Sequence, residues 1–339
     1  MNEKKHKDHT LIFITLSLGI LLCLFMFALM MGRYHVSFQH FMSILMGDSD
    51  VPIIDKNVVV NLRIPRTIIA MLTGAALSLS GLVYQEIFNN KLVSPDLLGV
   101  SSGASVGAAF AIVLGLTSVF VSFFSFIFGV ATVFITISLS KIFKSSSSVF
   151  LLLTGIIVGG FMSSATGLFK YLATSDRQLS EITFWLLGSF SSSTYEQIII
   201  FLPIVIICII ILFFLRWRIN ILALGHDEAN SLGVNYKLIR TIVIIAATLL
   251  TASSVSISGV IGWIGLVIPI MVRLLVGRNT QKTIPIVIVF GAIFMILVDI
   301  ISRSFTSVEI PLSVVTGFLG TPVFMFLLFK KRGVVSERH

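Results

Sequence analysis

The segment from Arg63 to Gly103, RIPRTIIAMLTGAALSLSGLVYQEIFNNKLVSPDLLGVSSG, is apolar enough for lipid yet crowded with Gly, Ser and Ala. Side chains this small leave helix backbones free to touch, so the helices they form are expected to pack against protein. Gly74 and Ser78, then Gly99, Gly103 and Gly107, recur at four-residue spacing and fall on one helical face, as close-packed membrane bundles require. The two cations of Arg-Ile-Pro-Arg open the segment at a water boundary.

The rest of the chain agrees. Of its 339 residues 56% are hydrophobic and 12% charged, with mean hydropathy +1.04, well outside the range of soluble globular proteins. Leu11 to Met31 is 21 residues with no small-residue cleavage site, so it reads as a retained first span rather than a signal peptide. Windows near the roughly 20 residues needed to cross hydrocarbon are centred near residues 21, 76, 108, 130, 159, 206, 248, 268, 293 and 320. The expected fold is an all-α polytopic bundle of about ten transmembrane helices, a single membrane domain over 1–339, with the third and fourth spans running together.

An even number of spans puts both ends on one side. If that side is cytoplasmic it carries 16 Lys and Arg, the opposite face carries 7 (Arg33, Lys56, Arg63, Arg66, Lys170, Arg177, Arg303), and Arg273 lies within a span. The bias predicts cytoplasmic termini, residues 1–10 being a cytoplasmic tail, in a multi-pass protein of the cell membrane. Topology thus accounts for the net charge of +9, and no basic soluble domain suggests nucleic acid. Cys23 and Cys208 fall mid-span, which argues against a disulfide or metal role.

Catalytic constellations are not visible. The six histidines fall in tails or loops, there is no HExxH, and no GxxxxGK[ST] phosphate loop occurs. The sequence therefore predicts no enzyme activity, cofactor or metal, and any ATP dependence must come from another subunit. Asp299 and Arg303, four apart, are placed to pair on the ninth span, whereas Arg273 belongs at the opposite depth and should not reach Asp299. Outside, residues 32–62 and 170–197 are long enough to have structure, with Phe184, Trp185 and Leu186 on a helix at the interface. Inside, His226 to Leu232 reads as a two-turn helix: Asp227 and Glu228 suit its first turn, Gly233 stops it, and Ala229, Leu232 and Val234 make an apolar edge. So short a helix needs a partner surface.

RIPRTIIAMLTGAALSLSGLVYQ, SPDLLGVSSGA, FWLLGSF, LGHDEANSLGV, GVIGWIGLVIP, RLLVG and EIPLSVVTGFLGTPVF, in this order from residue 63 to 326, resemble the FecCD family, the permeases of type II ABC importers for ferric siderophores, haem and cobalamin. The resemblance implies ten helices, a second permease subunit with the path at the dimer interface, two cytoplasmic ABC ATPases and an extracytoplasmic substrate-binding protein. It implies that segment 222–236 is the coupling segment, with Gly225, Asp227, Glu228, Ala229, Ser231, Leu232 and Gly233 meeting the ATPase. Arg63, Arg66 and Arg303 match the family's outward arginines, three exposed guanidiniums that would receive carboxylates of the binding protein.

Two departures stand out: Ile270 follows Pro269 where many relatives carry His, and Asn90-Lys91-Leu92 replaces Asn-Pro-Leu. The family's inner gate is built from that turn, here Asn90 and Leu92, and from the one near Ser147 and Ser148. Ser163, Ser164 and Gly167 of the fifth span and Gly317 of the tenth are candidate pathway residues, since a path that releases its cargo is lined by weak contacts. The expected cargo is an iron chelate, a ferric siderophore first, with haem or cobalamin as alternatives. The rivals from other classes are an ion-coupled carrier, in which Asp299 would matter first, and a structural scaffold, which would tolerate disruption of 226–232.

Overall fold

In lipid every backbone N–H and C=O must be satisfied inside its own segment, and the apolar windows accordingly become helices. The computed structural model describes residues 2–47, 51–142, 148–277 and 279–336. Its helices are α1 (Asn2–Met30), α2 (Phe38–Met46), α3 (Ile53–Asn57), α4 (Ile64–Ile87), α5 (Val100–Val113), α6 (Ser118–Ile142), α7 (Ser148–Leu172), α8 (Asp176–Leu187), α9 (Tyr195–Phe214), α10 (Arg216–Leu222), α11 (His226–Ser231), α12 (Tyr236–Ser258), α13 (Ile264–Val276), α14 (Thr280–Ser304) and α15 (Leu312–Ser336). A wider π-turn stretch, Val58–Arg63, leads from α3 into α4, and a 3-10 turn, Pro95–Leu98, leads into α5.

Among the described residues seven helices are long and apolar enough to cross a membrane. Shorter apolar helices, Val100–Val113, Ile264–Val276 and Leu312–Leu327, occupy the positions of the expected spans near 108, 268 and 320. The third and fourth expected spans are separated by a turn at Gly115, whose φ of 67° is left-handed. α5 is short because the chain before it, through Pro95–Leu98, has already entered the bundle: the Leu97 carbonyl oxygen lies 2.2 Å from where a Cβ on Gly155 of α7 would stand.

α4 is the axis of the fold. Its most apolar window is 89% buried, whereas that of α9, with the higher hydropathy of 3.2, is 22% buried; α9 therefore turns most of its surface out of the bundle, where α4 lies inside it. Small residues make this possible. A Cβ on Gly74 would lie 2.2 Å from the Gly291 carbonyl oxygen of α14, and one on Gly81 would lie 1.9 Å from that of Gly265 on α13. The third neighbour, α12, is held by polar contacts: Ser80 Oγ donates to the Ala247 carbonyl at 2.9 Å, and the hydroxyls of Tyr84 and Thr248 meet at 2.8 Å. The second glycine series works similarly, Gly103 and Gly107 seating the Phe128 and Phe124 carbonyls of α6, while Gly99 (φ 84°) forms the turn before α5 instead of lying within it.

Gly81→Ala should lower the unfolding midpoint of the purified protein by several degrees, since a backbone oxygen blocks the new methyl and overpacking costs about 1–3 kcal/mol. Gly160→Ala, where a Cβ meets nothing within 4 Å, should leave the midpoint unchanged or raise it slightly through helix propensity. Thermal unfolding in detergent reads both.

Candidate functional site

The two ends of α4 carry most of the charge found inside the bundle. At its first turn Arg66 Nε donates to Asp299 Oδ1 of α14 at 2.7 Å, and its two terminal nitrogens grip Glu309 at 2.7 and 3.1 Å. Arg303, one turn beyond Asp299, places Nε 3.2 Å from Asp299 Oδ2 as an ion pair and donates from Nη2 to the Ala28 carbonyl. Arg63 donates to the carbonyls of Leu29, at 2.8 Å, Met30, at 2.7 Å, and Tyr34. The last turn of α1 has no basic residue of its own, so two guanidiniums from other elements satisfy its orphan carbonyls. Gly32 leaves the room: a Cβ there would stand 2.7 Å from Arg63 Nη2.

This corrects one expectation. Arg63, Arg66 and Arg303 are only 4%, 8% and 5% exposed, not three free guanidiniums on a surface, because helix termini and carboxylates of the same chain already engage them. The expected pairing of Asp299 with Arg303 holds, and Arg66 joins it. Beyond the network, buried Asp55 accepts from Tyr34 Oη at 2.7 Å and meets His40 Nδ1 at 2.5 Å; the bond to this carboxylate raises the Tyr34 phenol's pKa.

At the last turn of α4, Arg273 of α13 donates to Glu86 at 2.9 Å and to Gln85. Arg66 and Glu86 are 20 residues apart on one helix, about 30 Å at 1.5 Å per residue, which is the thickness of a bilayer's hydrocarbon. Arg273 and Asp299 thus lie at opposite depths, as the sequence predicts. Glu309, Glu86 and Gln85 were missed as partners, although polar residues flanking apolar spans, Glu309 within the EIPL motif itself, were a usable signal.

α10 and α11 belong to the Glu86 end, where Asn220 Oδ1 accepts from the Thr280 backbone at 3.4 Å. α11 covers His226–Ser231, with Gly225 (φ 113°) before it and Gly233 (φ 76°) after it. The expected apolar edge divides. Ala229 and Val234 are buried and joined by a 3.0 Å backbone bond, anchoring α11, while Leu232 is 56% and neighbouring Leu224 58% exposed. Asp227, Glu228 and Ser231 are exposed as well, so α11 presents one acidic and apolar outer face on a fixed base.

The other candidates scatter. Asn90 Oδ1 accepts from the Leu92 backbone at 2.9 Å, closing the turn after α4 with Leu92 exposed. Ser147 lies outside the described residues, and Ser148 begins α7. Ser163 and Gly167 line a cavity of ≈ 370 Å³ with Ser101, Ser102, Ser105, Thr166, Lys170, Leu186 and Val260. Ser164 is exposed and donates to the Gly160 carbonyl of its own helix at 3.1 Å. Gly317 faces Trp263 instead, a residue with a left-handed φ of 70° held under Gly320 of α15.

The family model for the FecCD transport family matches residues 20–330. The molybdate import system permease MolB of Haemophilus influenzae is 38% identical over 310 residues, 90% of this chain and 92% of that protein. A probable iron chelatin transport system permease of Helicobacter pylori is 39% identical over 277 residues, 82% of this chain and 84% of that one. A solved structure described as an inward-facing metal-chelate type ABC transporter superposes with a TM-score of 0.85 at 36% identity, over 94% of this chain and 98% of the other.

Asp299→Asn should destabilise the protein by about 3–5 kcal/mol, the cost of leaving buried partners of an ion pair uncompensated. Glu309→Gln, whose side chain is 29% exposed, should cost clearly less. Unfolding midpoints of the two variants give the order directly.

Proposed function

The chain belongs to the FecCD transport family as an ABC importer permease, and we propose that it carries an iron chelate, a ferric siderophore above all, into the cytoplasm by alternating access. The whole chain then acts as one transmembrane unit of ten spans, α5, α13 and α15 completing the seven long ones. Both termini and the Glu86 end of α4 face the cytoplasm; the Arg66 end faces outward. The partners are a second permease subunit, two cytoplasmic ATPases and an external binding protein.

The observation that carries this reading is α11. A six-residue helix has no stability of its own, yet this one is anchored by Ala229 and Val234 while Asp227, Glu228 and Leu232 point away from the bundle. Such a knob suits a cleft on an ATPase, into which Gly225 and Gly233 let the chain enter and leave sharply. Docking of the binding protein is assigned to the Arg66 end, and there the buried arginines act indirectly: they fix the 304–311 loop and the turn after α1 that a partner would meet. Asn90, Leu92, Ser147 and Ser148 are assigned to the cytoplasmic gate, and Ser163, Ser164, Gly167 and Gly317 to the path.

A second cargo, a metal oxyanion, is favoured by the 38% identity to a molybdate permease over 90% of the chain. The ion-coupled alternative finds little support, because Asp299 is wholly buried and already engaged by two guanidiniums of its own chain.

Leu232→Asp and Glu228→Lys should each abolish ATP-driven uptake by the complex reconstituted with its ATPase and binding protein, with the unfolding midpoint unchanged because both side chains are exposed. Normal uptake in both variants would remove the coupling role of α11.

A further inference from the structure

The cavity between α5, α7 and α8 has a chemistry that the general reading of a weakly lined path does not require. On α7, Ser163, Thr166, Gly167 and Lys170 follow one another at i, i+3, i+4 and i+7, a single stripe on one helical face, and all four line the cavity. Lys170 is its one charged lining residue among the described residues. No ion pair engages the ammonium among the described residues, although α8 beside it carries Asp176 and Glu181; Glu181 lines a different cavity.

The hydroxyls are not equivalent. Ser105 and Thr166 donate to carbonyls of their own helices at 2.7 and 3.1 Å, and Ser101 donates to the Asp96 carboxylate. Ser102 and Ser163 have only a 3.5 Å contact with each other, so their protons remain available to a ligand. Donors therefore converge from Ser102, Ser163 and Lys170, and Gly167 keeps the space between them open, since a Cβ there would meet nothing within 4 Å. The Asp96 carboxylate occupies the Ser101 hydroxyl and so takes that residue out of the donor set.

Resting on the reading of α7 as path-lining, we propose that Lys170, Ser102 and Ser163 form a way-station for a multivalent anion that presents terminal oxygens. An ammonium and two hydroxyl donors attract such a cargo, repel free cations and give a neutral chelate nothing to hold. The station is charge-selective yet weak: one cation and two neutral donors stop well short of a cage, so the anion can leave. Two sources share this chemistry, a bare metal oxyanion and a ferric chelate with anionic ligand oxygens.

The test uses the assembled transporter in liposomes, with Cys23 and Cys208 replaced by Ala and Gly167→Cys introduced as a reporter, at a lining position that has room for a side chain and gives the station no donor. Gly167 and Lys170 are three residues, about 5 Å, apart along α7. A unit charge at that distance in a wet cleft should make an anionic methanethiosulfonate react at least about fivefold faster than a cationic one. K170Q should bring the ratio near one and K170R should keep it. Molybdate or a ferric tricatecholate should slow the reaction, the more effective of the two identifying the source, and a neutral ferric trihydroxamate should not. Equal rates for both reagents with Lys170 present, or no protection by either anion, would overturn the station while leaving the path intact. Failure of both reagents to reach the cysteine would instead contradict the path reading, and the station with it.

Discussion

The carboxylate of Asp299, with no exposed surface and a guanidinium on either side, is the interaction on which one whole end of the bundle depends. Through Arg66 it ties α14 to α4, and Arg66 reaches on to Glu309 in the loop before α15. Through Arg303 it ties α14 to the last turn of α1, which Arg63 grips from the α4 side. Charges buried this deeply are costly unless each is paired and hydrogen-bonded, so the three helices and the loop involved have little freedom to shift separately. The opposite end has the smaller lock of Arg273, Glu86 and Gln85. Between the locks, contact is made by glycine against carbonyl, where no side chain can yield. α4, α13 and α14 thus form a rigid axis.

The mobile chemistry of an importer must then lie off that axis, and the exposed groups are found there. α11 sits on a buried two-residue base with its polar and apolar outer face exposed, and α7 turns one stripe of hydroxyls, glycine and lysine toward an open cavity. In the function proposed, α11 is the peripheral lever and α7 the peripheral channel wall of a subunit that moves cargo with force supplied from elsewhere.

Much of this was legible in the sequence because lipid leaves few options. Apolar windows had to be helices, and four-residue glycine spacing had to mean close backbones, as Gly74 against Gly291 bears out. Gly233 stops α11 as its position suggested. Side-chain pairing across the fold was not legible. Arg66 finds its partners 233 and 243 residues away, and no local pattern says which carboxylate a span-end arginine will meet. For the same reason Arg63, Arg66 and Arg303 looked like a surface cluster: their outer position along the spans was readable, but their burial by the end of α1 was not. The division of the α11 edge, Ala229 inward and Leu232 outward, depends on how the turn at Gly233 folds back and was equally hidden from periodicity.

The central claim is that this conduit moves cargo only on energy borrowed from an ATPase. Uptake into liposomes holding the permease, with binding protein and loaded chelate outside, tests it most directly, measured with and without the ATPase subunits under an imposed proton or sodium gradient. The account predicts accumulation only when the ATPase and ATP are both inside. Accumulation driven by the ion gradient with the permease alone would contradict it.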